Sequence, residues 1–107
     1  MYVKVAMASD IANGGMKAAT VGEKQIVVCS FDNKFYALER RCGHLSASLD
    51  MGTLDGYILT CPLHYAQFDI TTGEALSGPV PPDLQHPTKN LITYPVKLEA
   101  GAVLVDV

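Results

Sequence analysis

The sequence predicts a small all-β domain, and three observations lead to that class. Apolar runs of strand length recur along the chain, the richest being Gln25-Ile26-Val27-Val28-Cys29-Ser30-Phe31. Turn-forming pairs such as Asp32-Asn33 and Asp55-Gly56 punctuate them at short intervals. The one helical start, Ser9-Asp10-Ile11, is cut short by Gly14-Gly15. A chain of 107 residues fits a single domain spanning 1–107, with a modest core.

Taken in order, Val3, Val5 and Met7 alternate with Lys4 and Ala6, the pattern of a half-buried strand. Residues 16–21 read as extended, and Gly22-Glu23 turns the chain into the rich run at 25–31. Asp32-Asn33 then joins that run to Lys34-Phe35-Tyr36-Ala37-Leu38, the clearest hairpin signal, because Asp and Asn tolerate the left-handed backbone of tight turns. Between Arg40 and Leu54 the pattern lapses, with a turn at Asp50-Met51-Gly52. Asp55-Gly56 makes a tight turn into the strand Tyr57–Thr60, and Phe68-Asp69-Ile70 resumes a strand. Thr71-Thr72-Gly73 turns, and Glu74-Ala75-Leu76 runs back. Ser77-Gly78-Pro79-Val80-Pro81-Pro82 lacks several backbone donors and is expected to be an ordered loop outside any sheet. Residues 83–90 read as surface. The stretches 91–98 and 102–107 form a last hairpin, with Pro95 implying an edge position or bulge in the first strand.

Charge and hydropathy exclude several functions. The formal net charge is −3, and the only adjacent basic pair is Arg40-Arg41, so nothing attracts nucleic acid. No run approaches the roughly 18 apolar residues of a membrane span. No signal peptide is expected, and with an odd cysteine count the expectation is reduced thiols in the cytoplasm. No glycine-rich phosphate loop, acid–base pair or Ser/His/Asp set stands out.

Chemistry concentrates elsewhere. Three cysteines and three histidines occur in the chain, and four of these six lie in Cys42-Gly43-His44 and Cys61-Pro62-Leu63-His64, with sixteen residues between His44 and Cys61. Each cluster alone is a weak signal. Together, in loops between strands, they supply two thiolates and two imidazoles. Three metal readings follow: a structural Cys2His2 zinc, an iron–sulfur cluster with two histidine ligands, or, less suited to this donor set, copper. Small zinc modules tend to place their histidine pair on a helix, and Pro62 with its strand-like surroundings disfavours one. That shifts the balance towards iron.

Nearly the whole chain resembles the Rieske-type [2Fe-2S] ferredoxins, whose pattern is Cys-x-His, a gap of this size, then Cys-x-x-His. The likeness includes Asp32–Leu38 before the first cluster, Phe68-Asp69 and Thr72-Gly73 after the second, and Ser77-Gly78-Pro79 as the family's proline loop. It implies a β-sandwich or barrel-like base carrying an inserted two-loop cluster-binding subdomain at about 40–80. It implies one [2Fe-2S] cluster, with Cys42 and Cys61 on one iron and His44 and His64 on the other. The implied role is one-electron transfer, not catalysis, from a flavin-dependent NAD(P)H reductase to a terminal Rieske oxygenase. A monomer is the default for such a carrier. A small Rieske subunit of a nitrite-reductase-like or other redox complex is the alternative within the family, and a zinc module the alternative outside it.

Departures from the family carry expectations too. Positions matching its inter-loop disulfide are Ala47 and Leu63, and those matching the hydroxyls that raise the potential are Ala66 and Phe68. Fewer hydrogen bonds to sulfur predict a potential near the low end of the Rieske range. Tyr65 stands where the family commonly has Gly, and either tunes the cluster through its hydroxyl or contacts a partner. Leu45, Leu63, Tyr65 and Pro79 are the expected apolar rim of a docking face. Cys29 is expected to be an inert core thiol, and His86 a surface residue.

Overall fold

The computed structural model describes residues 1–41, 48–62, 65–78 and 88–107. Within them the chain forms eleven strands in three antiparallel sheets. The all-β expectation is met. β1 (Tyr2–Met7), β11 (Ala102–Asp106) and β10 (Val96–Glu99) make the first sheet, in that order. The second is β2 (Met16–Val21), β3 (Lys24–Phe31), β4 (Lys34–Glu39) and β9 (Thr93–Tyr94). The third runs β5 (Thr53–Asp55), β6 (Ile58–Thr60), β7 (Gln67–Asp69) and β8 (Ala75–Ser77).

β3 lies between two cores because its apolar run is continuous rather than alternating. Ile26 and Val28 join Ala6, Ile11, Ala37, Val103 and Val105 on the side of the first sheet. Val27 and Cys29 face the opposite way, into a core with Leu38 of β4 and with Leu49, Leu59, Cys61, Phe68 and Ile70 from the third sheet and its approaches. Each large aliphatic or aromatic side chain removed from water here contributes about 1.5–3 kcal/mol. Both outer sheets are therefore anchored on one strand. Its hairpin to β4 closes through Asp32 (φ 53°) and Asn33 (φ 61°), both left-handed, as a two-residue turn compatible with strand twist requires.

Local reading misplaced several details. In β1 the register shifts between Lys4 and Ala6, so Ala6 pairs with Val103 and is the buried residue, while Val3, Val5 and Met7 are only half-buried. The expected helical start is a single 3-10 turn, Ala8–Asp10. The β5–β6 turn is Gly56-Tyr57, one residue later than expected, because Asp55 pairs with Ile58. The stretch 91–98 is not one strand: β9 pairs with β4 and β10 with β11, and Pro95 is the corner between them. Both pieces are edge strands, which suits a residue without an N–H. The proline-rich loop beyond Gly78 and the surface segment to His86 lie outside the described residues.

At one end of β7 the chain reverses over residues 70–73, and Gly73 (φ +80°) takes the left-handed position. The incoming segment crosses it, with Leu91 N–H donating to the Gly73 carbonyl at 2.7 Å and Ala75 N–H to Asn90 Oδ1 at 2.9 Å. A Cβ at Gly73 would run into the Leu91 carbonyl and the Thr93 methyl. Gly73→Ala should therefore cost about 2 kcal/mol or more, read as a lower urea midpoint, from the strained φ and the clash together.

Candidate metal centre

The second cluster begins where β6 ends. Cys61 follows Thr60 directly, is 2% exposed and belongs to the same core as Leu59 and Phe68. Its N–H donates to the Ala66 carbonyl at 2.8 Å, and Tyr65 N–H donates back to the Cys61 carbonyl at 3.2 Å. A turn closed in this way ends on a left-handed residue, as a helix C-terminus does, and Gly is the usual occupant. Tyr65 occupies it at φ 62°. The left-handed conformation costs an L-residue about 1–2 kcal/mol.

The first cluster is bracketed by an isolated antiparallel bridge between Arg41 and Ser48. Leu49 N–H donates to the Arg40 carbonyl at 2.8 Å, and the fully buried Leu49 side chain anchors this stretch in the core around Cys61. Arg40 Nε–H is shared between Ser48 Oγ at 2.7 Å and Asp50 Oδ1 at 2.9 Å, and the Ser48 hydroxyl donates to the same carboxylate oxygen. Burial alone would raise the Asp50 carboxyl, but the Ser48 hydroxyl and the Arg40 guanidinium outweigh it and hold the group below its ordinary value of 3.8. This clamp ties residue 40 to residues 48 and 50 across the first cluster.

The two flanks lie side by side. A 3-10 turn at Leu49–Met51 leads into Gly52, which sits so close to the Thr60 carbonyl that no Cβ fits. Thr53 then pairs with Thr60, the residue before Cys61. A cavity of about 200 Å³ opens between the flanks, lined by Met51, Gly52, Thr53, Thr60, Cys61, Pro62 and Tyr65.

Of the four candidate ligands, the structure thus describes Cys61, while Cys42, His44 and His64 lie outside the described residues, as do Leu45, Ala47, Leu63 and Pro79. Ala66 and Phe68 are fully buried, so the positions that would carry hydroxyls present only hydrocarbon. Cys29 shares the core with Cys61, but it sits mid-strand in β3 enclosed by hydrocarbon, and burial pushes its thiol up to about 12. The inert reading of Cys29 stands. Sequence reasoning missed the clamp and the Gly52 approach. The adjacent Arg40-Arg41 pair and the short Ser48-Leu49-Asp50 stretch were the available signals.

Comparison with known proteins decides between the metals. The model of the Rieske [2Fe-2S] domain matches residues 1–95. This chain belongs to the Rieske [2Fe-2S] family. Its cofactor is accordingly one Rieske-type [2Fe-2S] cluster, and the zinc and copper readings fall away. The Rieske chain is 36% identical over 105 residues to the ferredoxin component of the naphthalene 1,2-dioxygenase system of Pseudomonas putida, covering 98% of this chain and 94% of that one. It is 34% identical over 103 residues to the ferredoxin component of biphenyl 2,3-dioxygenase from Rhodococcus jostii, covering 96% and 90%. Among solved structures, the Sphingomonas yanoikuyae B1 ferredoxin superposes with a TM-score of 0.87 at 28% identity, over 100% of this chain and 99% of that one. A chain of the complex between reduced oxygenase and oxidised ferredoxin in carbazole 1,9a-dioxygenase superposes with a TM-score of 0.85 at 35% identity, covering 97% and 91%.

The described residues fit this cofactor. Cys61 offers an unbridged thiol from a rigid, apolar base beside the flank of the other loop. No helix among the described residues is long and apolar enough to cross a membrane.

The clamp yields a test. Because the folded Asp50 value is lowered, its contribution is complete above the ordinary value near 3.8 and drains away as pH falls through the folded value. Asp50→Ala should lose about 1–2 kcal/mol at pH 7 by urea unfolding, with the gap to the unaltered protein holding down to about pH 4 and closing below it.

Proposed function

We propose that this Rieske protein is the ferredoxin of an aromatic-ring-hydroxylating oxygenase system, taking single electrons from a flavin-dependent NAD(P)H reductase and passing them to a terminal Rieske oxygenase. The observation that carries the reading is two-way coverage: the chain matches relatives named as ferredoxin components along almost the full length of both partners. The carbazole system adds a ferredoxin solved in contact with its oxygenase. Relatives named as separate ferredoxin components favour a free carrier over a fixed subunit of a larger complex, and in this reading the protein works as a cytoplasmic monomer.

In the proposed site, the thiolates of Cys42 and Cys61 hold one iron and the imidazoles of His44 and His64 the other. Replacing two thiolates by neutral imidazoles raises the potential of the bound cluster to roughly −150 to +300 mV, against about −400 mV for all-cysteine plant-type clusters. The chain's own residues then set where in that range it falls. Ala66 and Phe68 fill their positions with apolar groups and donate nothing to sulfur. The third sheet with its two loops, about 40–80, serves as the cluster-binding subdomain of a single domain 1–107. Its base is held by Leu49, Leu59 and Phe68 in the shared core, so the loops are presented from a rigid support.

Anaerobic purification, dithionite reduction and EPR test the reading. Two irons and two sulfides per chain, with a rhombic signal whose mean g lies below the free-electron value, are expected. A colourless protein with one zinc would sink it. In the same preparation the midpoint should fall below about +100 mV, and a higher value would mean that sulfur receives hydrogen bonds from elsewhere. Each of Cys42→Ser and His64→Ala should abolish the signal while far-UV circular dichroism retains its β character.

A further inference from the structure

We infer that Tyr65 is a contact residue for the terminal oxygenase, kept at a left-handed backbone position because its ring serves the partner and not the fold. The inference rests on the ferredoxin reading above.

Within the protein the ring has little to do. Tyr65 is 61% exposed, and among the described residues its hydroxyl makes no hydrogen bond and its ring no aromatic or cation contact. Its backbone meanwhile sits at φ 62°, where glycine is the residue of least cost. Stability alone therefore favours glycine at this position, and the chain carries a large aromatic instead. Strained positions persist where they serve a site, and tyrosine is among the residues most often found as anchors of interfaces.

Location specifies the partner. Tyr65 directly follows His64, the proposed iron ligand. It also lines the cavity of about 200 Å³ beside Cys61, as does Met51, 72% exposed. Tyr65 and Met51 are the exposed large side chains of a recess that Thr53, Thr60 and Pro62 also line. Pro62 and Tyr65, which line this recess, flank the proposed ligand His64 in sequence, so in the ferredoxin reading its occupant is an apolar side chain of the oxygenase.

The test compares cluster-loaded wild type, Tyr65→Gly and Tyr65→Phe with the terminal oxygenases of the naphthalene, biphenyl and carbazole systems. Tyr65→Gly should unfold several degrees higher in temperature, since it relieves the backbone. It should raise the KM for ferredoxin about tenfold, the scale of losing an aromatic anchor, with kcat and midpoint potential unchanged. Tyr65→Phe should keep its KM within about twofold of wild type, and its midpoint should match wild type because the hydroxyl has no part. A Tyr65→Gly protein of unchanged KM would overturn the inference, as would one that unfolds at lower temperature, because the ring would then brace the loop. A shifted midpoint in Tyr65→Phe would also overturn it, in favour of tuning through the hydroxyl. Wild type that carries its cluster but reduces none of the three oxygenases would overturn the ferredoxin reading, and this inference with it.

Discussion

Burial of β3 on both faces is the constraint from which the rest of the structure follows. Ile26 and Val28 can leave water only if the first sheet covers them, and Val27 and Cys29 only if the third sheet and its approaches do. A single strand therefore holds both outer layers in place, and the layer that carries Cys61 shares its hydrocarbon with the strand at the centre. Because protein interiors pack at crystal-like density, such a shared core transmits position with little slack. The candidate metal centre is thus built against the shared core.

That rigidity reaches the loops through backbone groups more than through side chains. Gly52 lies against the Thr60 carbonyl, Thr53 pairs with Thr60, and Cys61 and Ala66 close the second turn. The exception is the Arg40–Ser48–Asp50 clamp, which is partly shielded from water and so worth more than an exposed ion pair. An electron carrier benefits from such stiffness, since small rearrangement on gaining or losing charge keeps the barrier to transfer low. It also needs a face that partners can find and leave, and interfaces of redox encounters are correspondingly small. Tyr65 and Met51, exposed beside a buried cysteine, combine the two demands within a few residues.

The cysteine inventory shows how environment assigns different roles to one residue type. Cys29 and Cys61 occupy the same core and are both nearly inaccessible. Cys29 lies mid-strand, enclosed by hydrocarbon, and burial keeps its proton in place. Cys61 lies where β6 gives way to a turn, beside Gly52 and Thr53. Position relative to the strand end, not burial, separates the structural thiol from the candidate ligand.

Much of this was determined by the sequence alone. Strand identity, the Asp32-Asn33 hairpin and the placement of two Cys/His pairs depend on local sterics and on scarce residue types, and these are legible over a few neighbouring positions. Family membership was legible for the same reason, because a ligand motif is a short string. Other features were decided only by tertiary structure. Pro95 became a corner between sheets because its two neighbouring strands found different partners far along the chain, and the Lys4–Ala6 bulge moved the buried position by one because β11 dictated the register. The Arg40–Asp50 clamp joins residues ten apart that meet only once the flanks of the first cluster are drawn together. Tyr65 was visible as a departure, but its left-handed backbone and outward ring were not. Local preference is carried by each residue and its neighbours, whereas register, sheet partner and exposure are set by surfaces that the chain makes only when distant segments pack.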